Sequence, residues 1–196
     1  MPQIAITDYK DASKPHSHAE LLALANRIKP DIEFYSGRQS KWNGSLVLKN
    51  DNNAGGKNWD CSIRLNPSVP EHVLIHEMIH SCSASHFGRA VWLNHPWEEE
   101  LTVHYLSQEL AAVQGFAVVD SGYDSGVDLI RNFKAAVGIA TSDLEFASEL
   151  LKQPLGERWD WLATQIFNAR NFDMTVERYQ ELADKLEAIR RWTPQK

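Results

Sequence analysis

The pattern of hydrophobic and polar positions divides the chain into two unlike parts that meet near Ser68. The first part begins with an apolar helical run, HAELLALANRI (18–28), which the Lys29-Pro30 pair is expected to end. Three short stretches then predict strands: IEFYSG (32–37), SLVLKN (45–50) and CSIRLN (61–66). The segment between the last two is rich in Asn, Asp and Gly, so it predicts a long-looped hairpin with SLVLKN at the sheet edge and CSIRLN inside it.

Almost everything after Ser68 carries helical periodicity. SVPE (68–71) has the residues of a capping box, in which Ser68 and Glu71 satisfy each other's backbone N–H groups, and it predicts a helix start. A second helix is predicted from Trp97 to Val113. Further helices are predicted over residues 128–138, 142–153, 156–169 and 175–191. Together these elements predict an α+β fold, with a small, mainly antiparallel N-terminal sheet packed on the first of these helices and a largely helical C-terminal half.

The length of 196 residues fits one compact domain and is short for two. We therefore expect a single domain over residues 1–196 that is built in three consecutive parts. Residues 1–67 would supply a helix and the sheet, residues 68–114 the helices of a candidate metal site, and residues 115–196 a helical remainder.

Composition and charge narrow the functional class. With 43% hydrophobic and 23% charged residues the chain resembles ordinary globular proteins, and no apolar run approaches the roughly 20 residues of a membrane-spanning helix. The net charge of −6 would repel phosphate backbones, so nucleic acid is not an expected partner, and without a long apolar run a membrane is not expected either. The first residues lack a basic region followed by an apolar one, which favours a cytoplasmic location and leaves export by a non-standard route open. Two cysteines are too few for a disulfide scaffold.

The strongest chemical signal is HEMIH at residues 76–80. His76 and His80 lie four residues apart, which on a helix places them about 40° apart on one face, one turn above the other. Both imidazoles can then reach one ion, and zinc suits them because it binds neutral imidazole at roughly 2.0–2.1 Å without a preferred d-electron geometry. Glu77 would lie beside the ion, where its carboxylate can take a proton from a zinc-activated water as general base.

A hydrolytic zinc site needs a third protein ligand, and the sequence offers two ways to supply it. In the first, HEMIHSCSASH ends on His86 and is similar to the metzincin pattern H-E-x-x-H-x-x-G-x-x-H, except that Ser83 stands where that family has glycine. In the second, PWEEELTVHYL (96–106) resembles the gluzincins, zinc peptidases in which HExxH is followed by a glutamate on a second helix. That resemblance covers the chain from His76 to Leu106.

Helix geometry separates the three consecutive glutamates of that second helix. On this helix Glu99 is the first of five residues that lie within about 40° of one line along the helix axis, and this stripe is expected to face the core. Glu100 points about 100° away from the stripe. The stripe comprises Glu99, Val103, Leu106, Leu110 and Val113. Glu99 is therefore the expected third ligand, with Glu100 and then His86 as the alternatives, and Glu98 is expected to be solvated.

The gluzincin resemblance implies a minimal zincin-like fold and a zinc metallopeptidase, an endopeptidase rather than an exopeptidase, that acts on a peptide or protein substrate. In such enzymes an edge strand pairs with the extended substrate, and SLVLKN would supply that strand. The oxyanion would need a further donor, for which the chain offers Tyr105, His104, Tyr123 and His95. Two other classes stay open: a zinc hydrolase acting on a non-peptide bond, and a non-catalytic binding or effector protein stabilised by zinc.

Overall fold

The computed structural model describes residues 15–50, 53–118, 121–169 and 174–194, so the N-terminal segment that bears on export lies outside the described residues. Within these ranges the helices are α1 (His18–Ser36), α2 (Glu71–Cys82), α3 (Ala84–Phe87), α4 (Arg89–Asn94), α5 (Pro96–Val113), α6 (Asp124–Val137), α7 (Asp143–Lys152), α8 (Arg158–Asn168) and α9 (Val176–Arg191). The strands are β1 (Leu46–Leu48), β2 (Gly55–Lys57) and β3 (Ile63–Leu65). The α+β class and the largely helical C-terminal half are thus confirmed.

Helix α1 is longer than the pattern predicts and contains Pro30. It begins behind a capping box formed by Ser17 and Glu20, and it ends where Gly37 takes a left-handed conformation with a φ of 65°. The strand predicted over residues 32–37 is therefore wrong. A proline inside a helix costs about 3 kcal/mol, but the buried face continues across it, so packing outweighs the local signal. The buried positions of α1 are Leu21, Ala25, Ile28, Ile32 and Ser36.

The sheet is mixed and has the strand order β1-β3-β2. β1 runs parallel to β3, with Leu46 opposite Ile63, and β2 runs antiparallel to β3, with Gly55 opposite Leu65. The predicted hairpin is thus wrong, and the sheet is not mainly antiparallel. The reason is that the glycine-rich segment forms a strand of its own, so the chain reverses twice and β1 and β3 run the same way. SLVLKN does lie at an edge, as expected, and β2 forms the other edge.

Helix α2 carries HEMIH and lies at the centre of the fold. Every residue in the range His72–Cys82 is buried, because α1, α5, β2 and β3 all pack against this helix. It begins at Glu71, with Pro70 as the preceding cap residue and without a side-chain cap, so the capping box predicted at Ser68 is absent. Ser68 instead lies in a turn, where its backbone N–H donates to the side chain of Asn66 at 2.9 Å.

Helix α5 lies against α2 and is covered by the C-terminal helices. α7 packs against both α5 and α1, while α6 packs against α5 and α9. One hydrophobic core runs through α1, the sheet, α2, α5 and these later helices. No helix of the described ranges is both long and apolar enough to cross a bilayer. The facing sides of α2 and α5 therefore meet inside the protein, and their polar side chains need partners there.

Candidate metal centre

Two histidines of α2 and one glutamate of α5 bring three ligand atoms together between the two helices. Nε2 of His76 and Nε2 of His80 lie 3.1 Å apart. Oε2 of Glu100 lies 3.3 Å from the first nitrogen and 3.4 Å from the second. All three residues are buried, and among the described residues they form the one group of three histidine, cysteine or carboxylate side chains close enough to hold an ion.

This triangle has the dimensions that a zinc ion requires. An ion bound at about 2.0–2.1 Å in tetrahedral geometry separates its ligand atoms by roughly 3.3–3.4 Å, which is close to the three observed distances. Two imidazoles and one carboxylate, with a fourth position left for water, form the ligand set of many hydrolytic zinc sites. The residues present therefore fit a zinc ion in both spacing and chemistry.

The charges in the triangle also favour a cation. Burial alone would lower the pKa of His80, but the carboxylates of Glu100 and Glu99 raise it to about 10. Burial alone would raise the pKa of Glu100, but His80 and His76 hold it well below its usual range. Without a metal the group therefore retains a proton on a buried imidazole, and a metal ion would supply the same positive charge in its place.

Glu99, the expected third ligand, binds the other ring nitrogen of His80. Its Oε1 lies 2.9 Å from Nδ1 of His80, and because an ionised carboxylate only accepts, Nδ1 must carry the proton. The structure thus places Glu100, and not Glu99, with the two Nε2 atoms, which corrects the preference drawn from the sequence. A stripe of apolar residues identifies the ligand only if the helix has one buried face. The whole range Glu98–Gln108 of α5 is buried, so hydrophobic periodicity does not distinguish Glu99 from Glu100.

Four donors surround the carboxylate of Glu99. Besides Nδ1–H of His80, they are the hydroxyl of Ser83 at 2.7 Å, the backbone N–H of Ala84 at 2.9 Å and the guanidinium of Arg158 at 2.8 Å. Burial would raise the pKa of Glu99, but Arg158 and the hydrogen bond from His80 lower it to about 2. The carboxylate therefore stays ionised and fixed, which allows it to hold the ring of His80 in one orientation.

The remaining two candidates have partners elsewhere. Glu98, expected in solvent, is buried, and its carboxylate accepts hydrogen bonds from the backbone N–H groups of Gly156 and Arg158. That expectation is wrong because Glu98 binds the backbone at the start of α8. His86 is exposed on the short helix α3, where its Nε2 lies 2.8 Å from the backbone carbonyl of Gln39. The structure therefore does not bring His86 to the two histidines of α2.

Glu77 lies beside the triangle and against the edge strand β2. Its carboxylate accepts a hydrogen bond from the backbone N–H of Lys57. Burial raises the pKa of Glu77, against the opposing influence of His76 and His80. The close approach of strand and carboxylate depends on Gly55, because a Cβ there would lie 3.0 Å from Oε1 of Glu77. An acid–base group with a raised pKa thus sits next to the ligand atoms.

A second buried cluster adjoins His76. The ring of His104 is centred 5.6 Å from that of His76, and the ring of Tyr123 stacks against His76 at 6.2 Å. Nε2 of His104 lies 3.0 Å from Oδ1 of Asp124 and 2.8 Å from the hydroxyl of Ser121. Burial lowers the pKa of His104, which favours the neutral ring. Two of the four residues considered as oxyanion donors are therefore neighbours of a candidate ligand.

The other two considered donors have different surroundings. The ring of Tyr105 is covered by the guanidinium of Arg131, 5.1 Å from the ring centre. Nδ1 of His95 lies 3.4 Å from Oε2 of Glu98, near the start of α8. Neither contact involves one of the three ligand atoms.

Three residues of the site, Arg158, Asp124 and Lys57, carry no clear signal in the sequence. Arg158 is the first residue of an amphipathic helix, where an arginine is common, and nothing in the sequence indicates that it is fully buried. Asp124 begins a helix, as carboxylates often do, and Lys57 belongs to a glycine-rich segment whose composition predicts a loop. One available signal was spacing, because His104 follows Glu100 by four residues and so shares its face of α5.

Comparison of the chain with models of protein families, with curated proteins and with solved structures found no match. The features that indicate a function are therefore those of the chain itself: the three ligand atoms, the ionised carboxylate of Glu99 behind His80, and Glu77 at the edge strand.

Proposed function

We propose that the chain is a zinc-dependent hydrolase with a zincin-like fold that cleaves peptide bonds, with His76, His80 and Glu100 as ligands and Glu77 as general base. The observation that carries the proposal is the triangle of ligand atoms, whose sides of 3.1 to 3.4 Å suit one tetrahedral ion. The resemblance to the gluzincins, HExxH followed by a glutamate on the next long helix, supports the same assignment. A zinc ion held by these residues would act as a Lewis acid and would lower the pKa of a bound water to about 7.

Two glutamates have separate tasks in such a reaction. Glu77 accepts a proton from the attacking water and returns it to the leaving amine, and a carboxyl with a raised pKa is suited to both transfers. Glu99 accepts a hydrogen bond from Nδ1–H of His80, which keeps the proton on Nδ1 and leaves the Nε2 lone pair available for a metal. Both carboxylates are held by hydrogen bonds in the free protein, Glu77 by the backbone of Lys57 and Glu99 by Ser83 and Ala84.

The substrate would bind along β2. Within the described residues this strand pairs with β3 on one side only, and Glu77 lies against it. An extended peptide that pairs with the free edge would be held by backbone hydrogen bonds next to the ligand atoms. SLVLKN lies at the far edge of the sheet, so the proposal moves the substrate strand from β1 to β2. His104 and Tyr123, both beside His76, are the candidates for stabilising the oxyanion.

Hydrolysis of a peptide mixture by the zinc-loaded chain tests the proposal. We expect cleavage that a chelator abolishes and added zinc restores. Glu77→Gln should keep zinc and lower kcat by about 10²- to 10⁴-fold, the usual contribution of a general base, whereas Glu149→Gln, at an exposed position on α7, should change nothing. Undiminished turnover in Glu77→Gln, or no cleavage by the zinc-loaded protein, would contradict the proposal.

The low solvent exposure of the three candidate ligands favours a second candidate function. His76, His80 and Glu100 have 1 to 2% of their surface exposed, and closed zinc sites of this kind stabilise folds. The alternative is a non-catalytic binding or effector protein whose zinc holds α2 and α5 together. In that case removing zinc would unfold the protein, while Glu77→Gln would change neither the protein's affinity for its partner nor its stability.

A further inference from the structure

Lys57 is a buried cation without an anionic partner in the described part of the chain. One per cent of the residue is exposed, yet its ammonium forms no ion pair and no hydrogen bond with a described residue. The ammonium instead lies 4.5 Å from the centre of the Trp59 ring. An ammonium on so deeply buried a residue has lost most of its water and has gained one aromatic face in return.

The other buried cations among the described residues are paired. The guanidinium of Arg158 lies 2.8 Å from the carboxylate of Glu99, and the ammonium of Lys134 lies 2.6 Å from that of Asp143. Buried charges in proteins are ordinarily paired in this way, because a cation–π contact recovers only part of the cost of removing an ammonium from water. Lys57 is therefore the exception that requires an explanation.

The charges around Lys57 also show that its ammonium has no carboxylate in contact with it among the described residues. Burial lowers the pKa of the Lys57 ammonium, and the negative charges of Glu99 and Glu77 act against that shift without contacting the group. A carboxylate brought into contact with the ammonium would complete the pair that the free protein lacks.

The position of Lys57 connects it to the candidate reaction centre. Lys57 and Gly55 are two residues apart on β2, so their side-chain positions lie on the same face of the sheet. That face meets Glu77, whose carboxylate lies close to Gly55 and accepts the backbone N–H of Lys57. Trp59 follows in the turn after β2, 39% exposed, with its ring packed edge-on against Trp92 at 6.1 Å. The ammonium thus lies between the edge strand β2 and the partly exposed ring of Trp59.

We propose that Lys57 and the ring of Trp59 form a subsite for a carboxylate of the bound peptide, supplied by an acidic side chain or by a free C-terminus. A carboxylate fits because it can accept hydrogen bonds from the ammonium while the flat ring of Trp59 covers one side of the pair. The subsite lies at the end of the strand on which the substrate would extend. The inference rests on the proposed function for its place beside a reaction centre, and it names the substrate class as peptides that carry a negative charge.

Calorimetric binding of probe peptides tests the subsite. The protein is the zinc-loaded full chain with Glu77→Gln, so that the probes are not cut. The probes are N-acetylated hexapeptides: a neutral one with a C-terminal amide, a set with Glu in place of Gln at each position in turn, and one with a free C-terminus. A charged probe should bind about tenfold more tightly than the neutral one, as expected for a charge-assisted hydrogen bond. The position of the preferred charge identifies which source supplies the carboxylate.

Variants of Lys57 identify the group responsible. Lys57→Met should abolish the preference, Lys57→Arg should keep it, and Lys49→Met, at an exposed lysine after β1, should leave it unchanged. Lys57→Met should also raise the Tm of the free protein, because it removes an uncompensated buried charge; if it does not fold, Lys57→Gln replaces it. Equal binding of charged and neutral probes, or a preference that survives Lys57→Met, overturns the subsite.

The subsite and the proposed function can fail separately. Cleavage of peptides by the unaltered protein without a preference for charged probes contradicts the subsite alone. A charge preference that depends on Lys57, in a protein that neither binds zinc nor cleaves peptides, contradicts the proposed function and supports the subsite. Absence of any binding of these probes contradicts both.

Discussion

The guanidinium of Arg158 and the carboxylate of Glu99 lie 2.8 Å apart, with both side chains fully buried. Because Glu99 also binds Nδ1 of His80, a residue of α8 is connected through one carboxylate to a candidate metal ligand on α2. Ser83 and Thr102 complete the surroundings of the guanidinium, each with its hydroxyl 2.5 Å from one of the nitrogens. The C-terminal helices thereby support the centre although none of their residues belongs to the triangle of ligand atoms.

Replacing Arg158 by Met should destabilise the metal-free protein. The free energy of unfolding, measured by urea denaturation, is expected to fall by about 3–5 kcal/mol, because Glu99 is left buried without its counter-charge. Arg190→Met is the matched control, since Arg190 pairs with Asp160 at 2.9 Å on the surface, where the two side chains are 39% and 77% exposed. The control should change the free energy by less than about 1 kcal/mol. Equal effects of the two substitutions would contradict this account of the buried pair.

Two adjacent glycines of β2 should differ in their tolerance of a methyl group. A Cβ on Gly55 would lie 3.0 Å from Oε1 of Glu77 and from the side chains of Leu65 and Val73, whereas a Cβ on Gly56 would meet its nearest neighbour at 3.6 Å. Gly55→Ala should therefore lower the free energy of unfolding by about 1–3 kcal/mol through overpacking.

The measurement for this pair is thermal unfolding together with peptide turnover. Gly55→Ala should lower both the Tm and kcat, because it displaces the carboxylate of Glu77. Gly56→Ala should leave both close to those of the unaltered protein. A Gly55→Ala protein with unchanged Tm would show that Glu77 and β2 do not approach as closely as described.

Asp124 should make stability depend on pH. Burial alone would raise the pKa of Asp124, but the hydrogen bonds from His104 and from the backbone of Ser121 lower it. Because its pKa is lower in the folded than in the unfolded chain, the carboxylate contributes stability that is fully present above about pH 4 and is lost as the pH falls through the folded pKa. Acid should therefore weaken the link between α5 and the start of α6.

Asp124→Asn tests that dependence. The free energy of unfolding at pH 7 should fall by about 1–3 kcal/mol, the contribution of hydrogen bonds to a charged group. The difference between variant and unaltered protein should then shrink as the pH drops below the folded pKa of Asp124. Asp128→Asn, at a position 64% exposed on the same helix, serves as control. A difference that stays constant down to acid pH would assign the effect to something other than the charge of Asp124.

Local geometry explains which parts of the site could be predicted from the sequence. His76 and His80 could be paired without a structure, because a four-residue spacing fixes their relation on any helix. The choice between Glu99 and Glu100 could not be made in that way. It depends on how α5 is rotated against α2. In that rotation Glu99 contacts Arg158, which is distant in sequence and reaches Glu99 only in the folded chain.

The same reasoning applies to the fold. The long helices after Ser68 could be predicted because their periodicity extends over several turns, as in α5 and α9, whereas the short helices α3 and α4 have no such repeat. The segment around Ile32 was misassigned because Pro30 is a strong local signal, whereas the packing that keeps it helical comes from distant elements. Strand β2 could not be predicted because two glycines resemble a turn, and the side chains that crowd Gly55, those of Glu77, Leu65 and Val73, are brought there only by the fold.

The central claim is that His76, His80 and Glu100 hold zinc while Glu99 orients His80. The most direct test is the zinc affinity of the metal-free chain, measured by competition with a chromophoric chelator, in the unaltered protein and three variants. We predict one zinc per chain in the unaltered protein, no stoichiometric binding in Glu100→Gln, and affinity reduced by about 10- to 100-fold in Glu99→Gln, the usual effect of removing a partner of a ligating histidine. His86→Ala should bind as the unaltered protein does. Zinc binding that survives Glu100→Gln at full affinity, or that is lost only in His86→Ala, would contradict the account.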